Sequence, residues 1–297
     1  MPSLSVMFVL SCAAAANADH LLDASFPRSS AAALRAEWRN SEAPQVPFVP
    51  FSAAYVAQAL AEPVDWRAKG AVTPVKSQGP HGYCGTFGRV GSAEGQWALR
   101  SGKGLASFSE QELISCIGWD QDQFSYFGSR GFMTSAAYPY NLSHYPDADP
   151  PIPGNPCRFD AALAVPGTPG FFTLRTGEAP DEAQLAAFIH HNGPVSAGIG
   201  AEVFALRAPG CEARGDCFIN ATSCATQNTI DHSIVIVGYG SDAATGDFWI
   251  IKNSWSEKFA NGGFINVARG VKCGGMCTSP DICGNLFGHG SNASYYE

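Results

Sequence analysis

The chain is poor in charge. Only 15% of its 297 residues are charged, with 18 Lys and Arg against 26 Asp and Glu. The net charge of −8 comes with no basic run, which argues against nucleic acid and anionic membrane as partners. Long apolar runs are also scarce. The stretch from Leu4 to Ala16 is the nearest approach to one, and it falls short of the ~20 apolar residues of a membrane span. Ala16-Asn17-Ala18 follows it as a small-residue cleavage pattern, so residues 1–18 read as a secretory signal, although no Lys or Arg precedes the apolar run.

Cysteine, by contrast, is plentiful, at 10 residues, and this suits an oxidising compartment. The N-x-S/T triplets at Asn141, Asn220 and Asn292 are candidate glycosylation sites. Both features place the chain in the secretory pathway, bound for a lysosome, a vacuole or the extracellular space. A hydrophobic fraction of 45% over this length is enough for one or two domains with a substantial core. No cofactor is implied.

Three short stretches carry the chemistry: Gln78-Gly79-Pro80-His81-Gly82-Tyr83-Cys84-Gly85, Asp231-His232-Ser233-Ile234-Val235, and Lys252-Asn253-Ser254-Trp255. A neutral thiol is a weak nucleophile and a thiolate a strong one, so a reactive cysteine needs a neighbour to hold its proton. Histidine does this near neutral pH, and an amide oxygen can aim the ring without adding a charge that competes for the proton. Each residue also has a plainer use: Cys84 as a buried or bridged thiol, His232 as a core histidine, Asn253 and Gln78 as turn and loop residues.

In order and in context, these residues resemble the papain-like cysteine proteases. His232 and Asn253 fall about 150 and 170 residues past Cys84, against roughly 130–150 in that family. Longer strings match as well. Pro63-Val64-Asp65-Trp66-Arg67 with Gly70-Ala71-Val72-Thr73-Pro74-Val75-Lys76 is similar to the start of a mature enzyme. Phe108-Ser109-Glu110-Gln111-Glu112-Leu113-Ile114-Ser115-Cys116, Tyr138-Pro139-Tyr140, Gly193-Pro194-Val195-Ser196, Val235-Ile236-Val237-Gly238-Tyr239-Gly240 and Phe248-Trp249-Ile250-Ile251-Lys252 match later segments.

The resemblance implies an α+β fold of two lobes with the active site in the cleft between them. A helical lobe would occupy roughly 80–175, and a β-rich lobe roughly 176–297 together with 62–79. The helix starting near Cys84 would carry Phe87, Val90, Glu94 and Trp97. Residues 19–61 would be a short propeptide blocking the cleft, with Ala31 to Arg39 as a short helix and Pro44 to Pro50 extended. The mature chain would start near Ala61 to Val64, and 62–297 would form the peptidase domain. The helix Ala183 to Ile189 would end at His190-His191.

In roles, the resemblance implies Cys84 as nucleophile, His232 as base, Asn253 as its orienting amide and Gln78 as an oxyanion-hole donor. Gly198, Asp231, Ser233, Trp255 and Gly288 would border the substrate. It pairs Cys116 with Cys157 and Cys224 with Cys283, leaving Cys211 with Cys217 and Cys273 with Cys277. A zinc site at Cys273, Cys277 and Cys283 is the alternative for those three, without a convincing four-ligand spacing. The expected partners are peptide or protein substrates and the chain's own propeptide, and a monomer is expected.

The chain also departs from the pattern. Gly85 stands where the family has an aromatic residue, His81 replaces a cysteine, and Cys116-Ile117-Gly118-Trp119-Asp120 omits a Cys-Asn-Gly-Gly loop whose backbone binds substrate. A catalytically impaired binding module and a thiol acyl transferase on the same fold therefore stand as alternatives to a peptidase.

Overall fold

A computed structural model describes residues 45–47, 50–116, 131–141, 157–165, 171–175, 181–224, 230–276 and 286–289, the backbone alone for 45–47, 171–175 and 286–289. The signal-like stretch, the expected helix at 31–39 and the site of the missing glycine loop lie outside these residues.

The described helices are α1 (Ala53–Ala61), α2 (Cys84–Arg100), α3 (Glu110–Cys116), α4 (Glu182–Asn192), α5 (Cys211–Arg214) and α6 (Ala221–Cys224). The strands are β1 (Gln45–Pro47), β2 (Val64–Asp65), β3 (Phe132–Met133), β4 (Ala164–Val165), β5 (Phe171–Arg175), β6 (Val195–Ile199), β7 (Phe218–Ile219), β8 (His232–Asp242), β9 (Gly246–Lys252), β10 (Phe264–Ala268) and β11 (Leu286–His289). Short 3-10 turns cover Ala201–Leu206 and Cys273–Gly275.

The expected α+β, two-lobe division is present. One core holds Val90, Ala93 and Trp97 of α2 with Phe108, Leu113 and Phe132. The other surrounds a six-stranded sheet of order β2-β8-β9-β10-β7, with β6 on β8, and includes Leu185, Phe188, Ile236, Tyr239, Trp249 and Ile251. β2 pairs antiparallel with β8, so Val64 and Asp65 join this sheet. β5 pairs with β11 near the C-terminus and with β1, in a separate three-stranded sheet.

Helix α2 carries Phe87, Val90, Glu94 and Trp97 on its buried side, as the resemblance implies. It also contains glycines, which cost a helix interior about 0.5–1 kcal/mol each relative to alanine. The reason lies in the seam with the sheet. A Cβ at Gly88 would fall on the Ser233 hydroxyl and 2.9 Å from that of Ser196, and at Gly91 it would lie 2.8 Å from Val235 Cγ2. The helix backbone thus lies directly on β8, closer than any side chain would permit.

Helix α4 starts at an Asp181 cap, whose carboxylate accepts from Gln184 N at 2.6 Å, and ends at Gly193 in the left-handed region (φ 106). Its last turn carries His190 and His191, as anticipated.

Two of the expected disulfides form, Cys116–Cys157 and Cys211–Cys217. The other pairing is corrected. Cys224 bonds Cys273, with the Cα atoms 4.6 Å apart, so neither Cys224–Cys283 nor Cys273–Cys277 exists, and the zinc alternative loses Cys273. The turn at Cys273–Gly275 explains the choice. Gly274 O accepts from Gly200 N at 2.7 Å, and Gly274 sits against Ile199 and Val203. That contact holds Cys273 in the core beside α6. Cys277 and Cys283 lie outside the described residues.

Candidate active site

The β8–β9 register brings the histidine and the asparagine together. Val235 pairs with Lys252 in antiparallel strands, and continuing that register sets Ile234 against Asn253 and His232 against Trp255. The side chains meet as this requires. His232 Nε2 and Asn253 Oδ1 are 2.8 Å apart, both buried. Asn253 Oδ1 also accepts the backbone N–H of Ser254 at 2.8 Å. A backbone N–H can only donate, so that oxygen is an acceptor for both partners and His232 Nε2 must be the ring's donor. In the neutral ring, Nδ1 then keeps its lone pair for a second partner.

Aromatic rings enclose this pair. Trp255 stacks on the imidazole, with centroids 4.7 Å apart and planes 29° apart. Phe204 meets His232 and Trp255 edge-on, at 6.1 and 5.5 Å. Phe204 comes from a turn that has no chemical signature in the sequence, and it was not anticipated. Burial among these rings lowers the His232 pKa to about 4, with the Asn253 hydrogen bond opposing the shift.

The α2 seam brings the cysteine to the same end of the sheet. Gly88 faces Ser233 and Gly91 faces Val235, so the helix and β8 advance together. One turn before Gly88 on that face is Cys84, the first residue of the helix, and one residue before Ser233 is His232. A helix N-terminus favours a thiolate there. Cys84 is fully buried. It is also disulfide-bonded. The expectation of a free thiol is corrected accordingly, and the structure holds Cys84 in its oxidised form.

Gln78 reaches the site through strand-like contacts between 76–78 and 254–256. Gln78 N donates to Ser254 O at 2.9 Å, and Ser77 bridges Trp255. The Ser254 hydroxyl donates to Gln78 Oε1 at 2.5 Å, which fixes the side-chain NH₂ as the outward donor. One hydrogen of that NH₂ goes to His81 O at 2.7 Å. Ser254 therefore orients both amides, Asn253 through its backbone and Gln78 through its hydroxyl, a role that its place in the quoted string did not reveal. The Tyr140 hydroxyl donates to Gln78 O at 2.8 Å, which gives the Tyr138-Pro139-Tyr140 string a positional meaning. His81 is a loop residue with its ring beside Tyr83.

The expected substrate-side residues are dispersed by role. Gly198 pairs with Ser233 in the β6–β8 ladder. The Ser233 hydroxyl is buried against Ser196 and Gly88, so it belongs to the helix seam. The Asp231 carboxylate accepts Ala201 N at 2.8 Å and pins the 3-10 turn that carries Phe204. Trp255 covers His232. Gly288 sits in β11, opposite Phe172 of β5, and β11 contacts β6 and α2. Of the glycosylation candidates, Asn141 and Asn220 are exposed, and Asn292 lies outside the described residues.

A helix-borne cysteine and a strand-borne histidine, set where a helical lobe meets a β-rich one, form the architecture of a thiol protease. The sequence profile described as Papain family cysteine protease matches residues 60–281, and the chain belongs to that family. It is similar to digestive cysteine proteinase 2 of Homarus americanus, 34% identical over 219 residues, covering 69% of this chain and 61% of that one. It is also similar to cathepsin L1 of Drosophila melanogaster, 34% identical over 223 residues, covering 71% and 54%. The chain thus spans about three fifths of the length of such curated relatives. The structure of digestive procathepsin L 3 from the larval midgut of Tenebrio molitor aligns with a TM-score of 0.61 at 29% identity, covering 89% of this chain and 80% of that one. The recombinant stem bromelain precursor shares the fold at 22% identity and a TM-score of 0.60, covering 87% and 80%.

Proposed function

We propose that the chain, once Cys84 is reduced, is a cysteine-type peptidase that hydrolyses peptide bonds through an acyl-enzyme. The observation that carries this reading is the doubly anchored Asn253 oxygen, which leaves His232 Nδ1 as a proton acceptor at the end of the sheet where α2 begins. The Cys84 thiol gives its proton to His232 Nδ1, and the thiolate attacks the scissile carbonyl carbon. The negative charge on the carbonyl oxygen is met by the Cys84 backbone N–H and the second Gln78 amide hydrogen. Imidazolium returns its proton to the departing amine, leaving a thioester. Water, deprotonated by His232, attacks that thioester and releases the acid and the thiol.

Gly198 and its ladder partner Ser233 carry no charge that would hold a basic side chain, so apolar P2 residues are the expected substrates. The chain is read as a secreted or lysosomal monomer made as a precursor. The procathepsin relatives support a propeptide as part of such a protein, and the segment before Phe51 is read as the part that blocks the cleft.

The disulfide at Cys84 favours a second reading, a binding module that performs no chemistry. Turnover of peptides with Phe, Leu or Arg at P2 decides between the two, measured with and without a thiol reductant. The peptidase reading expects activity only after reduction, a preference for Phe or Leu, and its loss in Cys84→Ala. Reduced protein without turnover favours the binding module, and a tenfold preference for Arg contradicts the pocket assignment. Peptide transfer to added amines in place of hydrolysis would indicate an acyl transferase.

A further inference from the structure

The sequence places the mature start near Ala61 to Val64, directly behind α1. The structure treats α1 as part of the catalytic lobe. Phe51, just before the helix, is buried and stacks on Tyr55 with ring centroids 5.0 Å apart. The Gln184 side chain on α4 takes both backbone groups of Phe51: Oε1 accepts its N–H at 2.8 Å, and Nε2 donates to its carbonyl at 3.1 Å. Ser52 caps the helix by accepting Tyr55 N. At the far end, Ala59 is fully buried and its carbonyl accepts the Tyr239 hydroxyl of β8 at 2.6 Å. Between these ends, the Tyr55 hydroxyl lies 3.3 Å from His191 Nδ1. Val56 and Leu60 pack against the same core as Leu185 and Trp249.

The chain then has no slack. Glu62 N still bonds Gln58 and Ala59 carbonyls, and Val64 already pairs with Tyr239 in the sheet. Ala61, Glu62 and Pro63 are exposed, but a protease needs backbone that unfolds locally over several residues, and drawing out 61–64 would require the last turn of α1 and the start of β2 to leave the core. We propose that maturation cleaves the chain on the N-terminal side of Phe51, and that Phe51–Ala61 stays in the mature protein as a strap across α4 and β8. The proposal rests on reading the chain as a precursor, but its test needs no peptidase activity.

The full-length Cys84→Ala chain is treated with a low amount of subtilisin, and the resistant core is identified by intact mass and N-terminal sequencing. A core that begins at or before Phe51 is the expected result. A core beginning anywhere from Ser52 to Trp66 overturns the proposal. In the same background, Gln184→Ala with Phe51→Ala should open the strap, so that cuts appear between Ser52 and Pro63 while the rest of the core persists. An unchanged fragment in that variant means that the clamp does not hold the strap. Sequencing the N-terminus of self-processed wild type gives the same pair of outcomes in the active chain.

Discussion

At the residue scale, the histidine bears the most physical tension. His232 is buried among aromatic rings, and its pKa falls to about 4, against roughly 6.5 in an unfolded chain. The unfolded state then binds more protons than the oxidised native state between these values. Stability contributed by the neutral ring is fully present above pH 6.5 and is lost as pH falls towards 4. The loss is at most about 3 kcal/mol. The melting temperature of the non-reduced chain should drop between pH 6.5 and 4 by several degrees more than that of His232→Gln, whose amide takes up no proton there. Equal drops in the two proteins would show that the ring is not a buried neutral base. The meeting of His232 with Asn253 was legible in the sequence because the proposed chemistry needs those residue types in that order. Phe204 and the double role of Ser254 were not, since an aromatic in a 3-10 turn and a serine after an asparagine have many uses and only the folded register selects one.

At the element scale, the contact of α2 with β8 sets the distance between Cys84 and His232. Gly88 and Gly91 allow that contact because a methyl group at either would collide with Ser233 or Val235. Gly88→Ala should therefore destabilise the fold by about 1–3 kcal/mol through overpacking and lower kcat by moving the start of the helix, with KM changed less. Thermal melts and peptide kinetics on the reduced variant read both effects, and normal stability with normal kcat would contradict the seam. The helix itself was legible through the family resemblance, and the closeness of its packing was hinted at only by glycines that helix propensity disfavours. The disulfide pattern was half legible. Cys211–Cys217 and Cys116–Cys157 are as expected, but Cys224 chose Cys273 over Cys283 because a turn folded onto Ile199 and Val203 delivers it. Such a contact between distant segments leaves no trace in cysteine spacing.

At the scale of the whole molecule, buried charges join the lobes. Lys76 Nζ lies 2.7 Å from both Glu94 of α2 and Glu110 of α3. The Thr73 hydroxyl donates to Glu94 and accepts from Lys252 Nζ at 2.8 Å, at the end of β9 beside Asn253. Burial raises the Glu110 pKa against the pull of Lys76, and burial lowers that of Lys252. Removing one charge from such a set leaves others uncompensated, so Glu94→Gln should cost about 3–5 kcal/mol in urea unfolding. A cost below about 1 kcal/mol would mean that the cluster behaves like a solvated surface pair. The two-lobe plan was legible because whole strings of the chain match a family. The pairing of β5 with β11 was not, because strand pairing over that separation has no local signature.

The claim on which the functional account turns is that reduced Cys84 is a thiolate paired with His232. The most direct measurement is the rate of Cys84 alkylation by iodoacetamide in the reduced full-length chain, followed from pH 4 to 10 by peptide mass. The account predicts rapid reaction already at pH 5–6 and a marked loss of that acid-side rate in His232→Gln. A rate that rises only near pH 8.5, the ordinary cysteine value, and is indifferent to His232 would contradict it.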